Sequence, residues 1–174
     1  MFNPEELDRL NEIAWTMPSK RVGVGQDLHY EPRVNRSTVR WLKPCEATEW
    51  IYVRMTHAIA RLNATHYQFD VTGIDEELYH VTYDGHDEGH YDWHHDSHAD
   101  NGFTRKLSVT VQLTNPADYD GGDLEINGGG RPEAMARIRG RMLMFPSYEV
   151  HRVTPVTRGS RSALVAWIVG PPFR

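Results

Sequence analysis

The stretch YDGHDEGHYDWHHD, residues 83–96, constrains this chain more than any other. In an extended strand successive side chains alternate faces. His94 and Asp96 then point one way, while Trp93 and His95 point the other. An imidazole and a carboxylate on one face offer a divalent cation two adjacent ligands. A third ligand from elsewhere would complete a 2-His-1-carboxylate facial set, which leaves coordination positions open on iron(II). His151, in the segment FPSYEVHRVTP of residues 145–155, is the candidate. Arg161 lies further on and opens the apolar run of residues 162–169.

The chain around this set has 174 residues, enough for one domain that buries about 70% of its unfolded surface. Asn3 reads as an N-cap, with Pro4 at the first helical position and Glu6 completing a capping box. A helix over residues 4–17 follows, with Leu7, Leu10, Ile13 and Ala14 on one stripe. Residues 18–36 carry Pro, Gly and scattered charge without periodicity and read as a surface loop. A strand over 37–42 precedes a second packing helix over 46–63, on which His57 reads as structural. Residues 67–72 alternate as a strand that Gly73 ends, and the next begins at 77.

Beyond Tyr83 the pattern is all β. Residues 105–114 put Leu107, Val109, Val111 and Leu113 on one face. Further strands are predicted over 123–127, 135–138, 141–145, 150–156 and 161–169, with turn-rich loops at 115–122 and 128–130. Short strands punctuated by Gly and Pro indicate a sandwich or barrel, not an alternating α/β fold.

The combination YxxHxD at residues 91–96, then FPSxxxHxVxPVTxGxR and a Trp-bearing last strand, resembles the 2-oxoglutarate- and Fe(II)-dependent oxygenases. Within them it is most similar to the prolyl 4-hydroxylase and PKHD-type hydroxylase branch, over residues 83–170. The resemblance implies a mainly β chain: a double-stranded β-helix, or jelly roll, with supporting N-terminal α-helices. One oxygenase domain would span 1–174, with helical support over 1–66 and the jelly-roll core over 67–170. It implies Fe(II) held by His94, Asp96 and His151, with 2-oxoglutarate as cosubstrate, O2 as oxidant and ascorbate as an accessory reductant. Arg161 matches the arginine that pairs with the far carboxylate of 2-oxoglutarate, and Tyr83 a tyrosine that hydrogen-bonds the same group. Gln112 falls near another cosubstrate-contacting position, where relatives often carry Tyr. The implied reaction hydroxylates a C–H bond of a prolyl residue, a free amino acid or another small molecule. It couples this to conversion of 2-oxoglutarate to succinate and CO2. Asp96 favours hydroxylation over halogenation, because related halogenases replace that carboxylate.

His80, His86, His90, His95 and His98 crowd the same region and read as bystanders, packing or solvated. His98 and Asp100 form a second HxD without the preceding Tyr-Asp-Trp. Tyr91 and Trp93 read as packing residues. A competing reading is a non-catalytic, cupin-like metal-binding jelly roll, which would not need Arg161. A nucleic-acid demethylase is disfavoured: 19 Lys and Arg against 24 Asp and Glu give a net charge of −5. Cys45 is the single cysteine, so no internal disulfide forms. The acidic start lacks the apolar core of a signal peptide, and no apolar run approaches the roughly 20 residues of a membrane span. The expectation is a cytoplasmic protein with a peptide or small-molecule substrate, no nucleic-acid partner and no membrane partner. Its last residues, Phe173 and Arg174, follow the last strand directly. Selectivity would then come from the N-terminal helices, the loop at 18–36 or the loop at 97–104.

Overall fold

The computed structural model describes residues 1–21, 30–74, 77–100 and 102–173. Part of the expected loop at 18–36, residues 22–29, lies outside the described residues. Helix α1 spans Pro4–Thr16 and opens on the capping box. The Asn3 side chain accepts from the Glu6 amide at 2.8 Å, and Glu6 accepts from the Asn3 amide at 2.9 Å. Strands β1 (Ser19–Arg21) and β2 (Thr38–Leu42) come next, followed by α2 (Glu49–Leu62). This helix starts later than predicted because residues 45–48 form a turn. There Cys45 donates its amide to the Thr48 hydroxyl, and the Thr48 amide returns to the Cys45 carbonyl.

The strand expected at 67–72 does not form. Residues Asn63–Tyr67 instead extend α2 by a wide π turn, and Gln68 takes a left-handed conformation with φ of 53°. The Asn63 amide brackets Phe69, donating to its carbonyl at 2.9 Å and accepting from its amide at 3.1 Å. With those backbone groups satisfied locally, only β3 (Gly73–Ile74) joins a sheet.

The remaining strands are β4 (Leu78–Asp84), β5 (Tyr91–His94), β6 (Ala99–Asp100), β7 (Phe103–Gln112), β8 (Asp120–Gly121), β9 (Leu124–Asn127), β10 (Glu133–Ala134), β11 (Met142–Pro146), β12 (Val150–Val153), β13 (Val156–Arg158) and β14 (Ser160–Gly170). The loop expected at 97–104 thus holds β6, which pairs with β7. The strand expected at 135–138 is displaced to β10, after which Arg137 turns aside to pair with Asp123. The strand expected at 150–156 is split into β12 and β13. Pro155 has no N–H to donate, and Thr154 bonds to Asp123 through backbone and hydroxyl instead.

The large sheet runs β1-β2-β4-β14-β7-β11, with β3 added on β14 and β6 on β7. A smaller sheet runs β10-β9-β12-β5, and β13 pairs with β8. The alternation read in β7 sorts its two faces. Leu107, Val109 and Val111 are at most 1% exposed in a cluster with Leu7, Leu10, Ile51 and Met55, so both helices cover the outer face of the large sheet. A second cluster, including Val39, Val81, Leu124 and Phe145, lies between the two sheets. This is the sandwich that the chain's pattern predicts and the jelly roll that the family resemblance implies. The first 66 residues are more than support, because β2 pairs with β4 inside the large sheet.

His80 on β4 is a polar group on the helix-facing side. It is fully buried, its Nε2 lies 3.1 Å from the Asn11 amide oxygen, and it packs edge-on against Trp15. Burial, and then the neighbouring Arg40 guanidinium, hold its pKa down at about 4 from an ordinary 6.5. Between those values the unfolded chain binds a proton that the folded chain refuses. Stability is therefore full above pH 6.5 and falls as pH drops toward 4, by about 3 kcal/mol at most. Denaturant titrations of the parent and His80→Gln at pH 7 and 4.5 should show a steeper acid loss in the parent. Equal losses would show that His80 carries no such linkage.

Candidate metal centre

β12 lies antiparallel to β5, with His151 directly opposite His94. That register brings together two imidazoles separated by more than fifty residues of sequence. Asp96 follows β5, and its amide donates to the Ser147 carbonyl at 2.9 Å, tying the end of this segment to the turn before β12. The Nε2 atoms of His94 and His151 each lie 3.5 Å from an oxygen of Asp96. The three ligand atoms all lie within 4.8 Å of one another.

The side chains are preset as ligands. His94 donates from Nδ1 to the Asp92 carbonyl at 2.7 Å, and His151 from Nδ1 to the Glu149 carbonyl at 3.0 Å. Each hydrogen bond leaves the Nε2 lone pair directed at the shared space. Burial pushes the His151 pKa down and favours the neutral, ligating form. Burial opposes charge on Asp96, yet the adjacent His94 and His151 rings and the Ser108 hydroxyl together hold the carboxyl well below its usual range. Ser108 donates to Asp96 at 2.7 Å and lies 3.0 Å from the Ser147 hydroxyl. Tyr91 stacks on His94 at 3.5 Å, and burial followed by the charge of Asp96 pushes its hydroxyl up to about 12. Phe145 packs edge-on against His151. Two imidazoles and one carboxylate, with each ring packed against an aromatic side chain, form a donor set suited to iron(II).

The triad opens into a cavity of about 560 Å³ between the sheets, whose walls include Val39, Val81, Tyr83, Arg161 and Trp167. Arg161 on β14 is directly opposite Tyr83 on β4; the two are 4% and 6% exposed. Its guanidinium carbon lies 5.5 Å from the Tyr83 ring. Among the described residues no carboxylate pairs with Arg161. Arg158, by contrast, is exposed and paired with Asp120. Gln112 does not reach the large cavity. Its amide donates to the Thr114 carbonyl at 3.1 Å and the Tyr119 hydroxyl at 3.0 Å, beside a separate space of about 20 Å³ that Arg161 also lines.

The other histidines lie apart from the triad. His95 and His98 are exposed at the outer cavity, and His57 is exposed on α2. His90 bonds to the Glu88 and Arg33 carbonyls. Trp93 packs under Arg152. Sequence reasoning missed Ser108 and Tyr119. The polar face of β7, Ser108-x-Thr110-x-Gln112, was a usable signal for the first; the loop bearing Tyr119 held none for the second.

Fold and site together define a jelly roll with an open His-Asp-His set of the kind that can hold a metal ion. Residues 79–169, over half the chain, match the sequence profile of the 2OG-Fe(II) oxygenase superfamily, and the chain belongs to it. A 62-residue stretch is 48% identical to a PKHD-type hydroxylase of Acidovorax ebreus, covering 36% of this chain and 27% of that protein. Another, from Hyphomonas neptunium, is 48% identical over 62 residues, covering 36% and 28%. The chain thus matches little more than a quarter of the length of these curated relatives. Among solved structures, a Trichoplax adhaerens prolyl hydroxylase in complex with a hypoxia inducible factor peptide fragment superposes with a TM-score of 0.73 at 21% identity. The match covers 93% of this chain and 75% of that one. A Pseudomonas putida prolyl-4-hydroxylase gives 0.69 at 18% identity, over 95% and 87%. These likenesses establish the double-stranded β-helix fold.

Among the described residues no helix is long and apolar enough to cross a membrane. His94→Ala and His151→Ala are each expected to abolish one-to-one binding of Mn(II), measured by equilibrium dialysis, while His98→Ala leaves it intact. Mn(II) binding retained in both single variants and lost in His98→Ala would move the metal to the second HxD.

Proposed function

We propose that the chain is an Fe(II)- and 2-oxoglutarate-dependent dioxygenase that hydroxylates a C–H bond. The carrying observation is Arg161: a buried guanidinium with no carboxylate partner among the described residues, in the wall of the cavity that holds the triad. A buried cation is costly unless an anion joins it. A dicarboxylate cosubstrate would supply that anion.

In this reading His94, Asp96 and His151 hold Fe(II). When bound, iron with 2-oxoglutarate and O2 supplies the oxidation, in which substrate, O2 and 2-oxoglutarate become hydroxylated product, succinate and CO2. The protein's own work is placement. The planar fork of Arg161 pairs in two-bond fashion with the far carboxylate, and the Tyr83 hydroxyl donates to the same group. Burial pushes the Tyr83 hydroxyl up despite the opposing influence of Arg161, so it stays protonated as a donor. Ser108 keeps Asp96 oriented and charged. The apolar walls at Val39, Val81 and Val165 keep the centre dry around the substrate carbon.

The substrate class we propose is a prolyl residue in a peptide, or a free amino acid, with ascorbate as an accessory reductant and the cytoplasm as the compartment. The names of the PKHD-type relatives and the prolyl hydroxylase neighbours support it. The rival reading, a non-catalytic metal-binding jelly roll, leaves the buried Arg161 without a purpose. Succinate formation from 2-oxoglutarate with Fe(II), and a gain of one oxygen on candidate peptides and amino acids by mass spectrometry, test the activity. Arg161→Ala should keep Mn(II) affinity and raise the 2-oxoglutarate requirement by roughly a hundredfold, the loss expected when one partner of a buried ion pair is removed. Arg161→Lys should recover part of it, and Arg158→Ala should change nothing. An Arg161→Ala protein with the parent's 2-oxoglutarate requirement would remove the anchor and leave the non-catalytic reading in place.

A further inference from the structure

Tyr119 lies in the turn-rich loop between β7 and β8 but is only 1% exposed. Gln112 donates its side-chain N–H to the Tyr119 oxygen at 3.0 Å. An amide nitrogen has no lone pair to accept with, so the phenolic hydrogen is not used in that contact. Among the described residues no acceptor takes it. A buried hydroxyl with an unspent hydrogen is expensive unless something arrives to receive it.

Tyr119, Gln112, Thr110, Gly122 and Arg161 border the space of about 20 Å³, enough for one oxygen-sized group. Arg161 and Thr110 also line the 560 Å³ cavity of the triad, so the two spaces share part of their walls, and Arg161 borders both. Gly122 keeps the two side chains close. Its φ is 63°, and an added Cβ would come within 2.8 Å of Val156 Cγ2, 3.0 Å of Arg161 Cδ and 3.4 Å of Tyr119 Cε2. The Arg137 guanidinium carbon, 5.2 Å from the Tyr119 ring centroid, adds positive charge nearby.

We propose that the Tyr119 hydroxyl, oriented by Gln112, donates a further hydrogen bond to the carboxylate that Arg161 and Tyr83 receive. This rests on reading Arg161 as the cosubstrate anchor. Gln112 then acts through Tyr119, holding the phenol with its hydrogen turned toward the anion.

The test is isothermal titration of 2-oxoglutarate and of oxalate into Mn(II)-loaded parent and Tyr119→Phe. Oxalate keeps the chelating head and has no tail to reach Arg161. Tyr119→Phe should bind 2-oxoglutarate about tenfold more weakly, the scale of a hydrogen bond to a charged group, and bind oxalate like the parent. Parent-like 2-oxoglutarate binding in Tyr119→Phe, alongside weakened binding in Arg161→Ala, would overturn this proposal alone. An equal loss for oxalate would also overturn it, by showing a distorted metal site. A parent that binds oxalate and not 2-oxoglutarate would remove the anchor reading, and this proposal with it.

Discussion

The register between β5 and β12 is the constraint on which the site depends. It sets His151 opposite His94, and β9 on the other side of β12 fixes the same strand a second time through Val150, His151, Arg152 and Val153. A slip of one residue would turn His151 out of the cavity and present Val150 or Arg152 in its place. The slip is resisted at both ends: the Asp96 amide is held by Ser147 before the strand, and Thr154 is tied to Asp123 after it. Backbone pairing brings the three side chains together. The ligands are therefore preorganised, with each Nδ1 already committed to a carbonyl.

The second organising fact is a charge imbalance inside the barrel. Asp96 is balanced by the imidazoles and Ser108, so its negative charge survives burial. Arg161 has no such balance within the described protein, and its cost is met only if an anion occupies the inner cavity. In the proposed reading the labour divides along one cavity: the His-Asp-His set on the small sheet would hold the metal, and Arg161 on the large sheet would receive the carboxylate. The oxygen-sized space beside Tyr119 borders Arg161 as well, where a neutral donor would share the load with the guanidinium.

Much of this was legible in the sequence because it is carried by local rules. HxD puts two ligands on one face, alternation in residues 105–114 sorts core from cavity, and Asn3-x-x-Glu6 caps α1. The family motif added the remote residues His151, which meets His94, and Arg161, which lines the same cavity; no periodicity could reveal either placement. What failed to show depends on contacts distant in sequence or on single side chains. Residues 67–72 alternate like a strand, but Asn63 satisfies Phe69 locally and Gln68 turns left-handed. Pro155 sits in what reads as one continuous strand and divides it. Tyr119 gave no signal at all, because only the folded loop sets its hydroxyl on Gln112.

The central claim is that His94, Asp96 and His151 share one iron whose cosubstrate points its tail at Arg161. Crystals grown without oxygen in Fe(II) and 2-oxoglutarate test it by anomalous scattering at the iron edge. A single peak bonded to His94 Nε2, His151 Nε2 and an Asp96 oxygen, with density running from it to the Arg161 guanidinium, is the expected result. A peak at another histidine, or an iron at the triad with no density reaching Arg161, would contradict it.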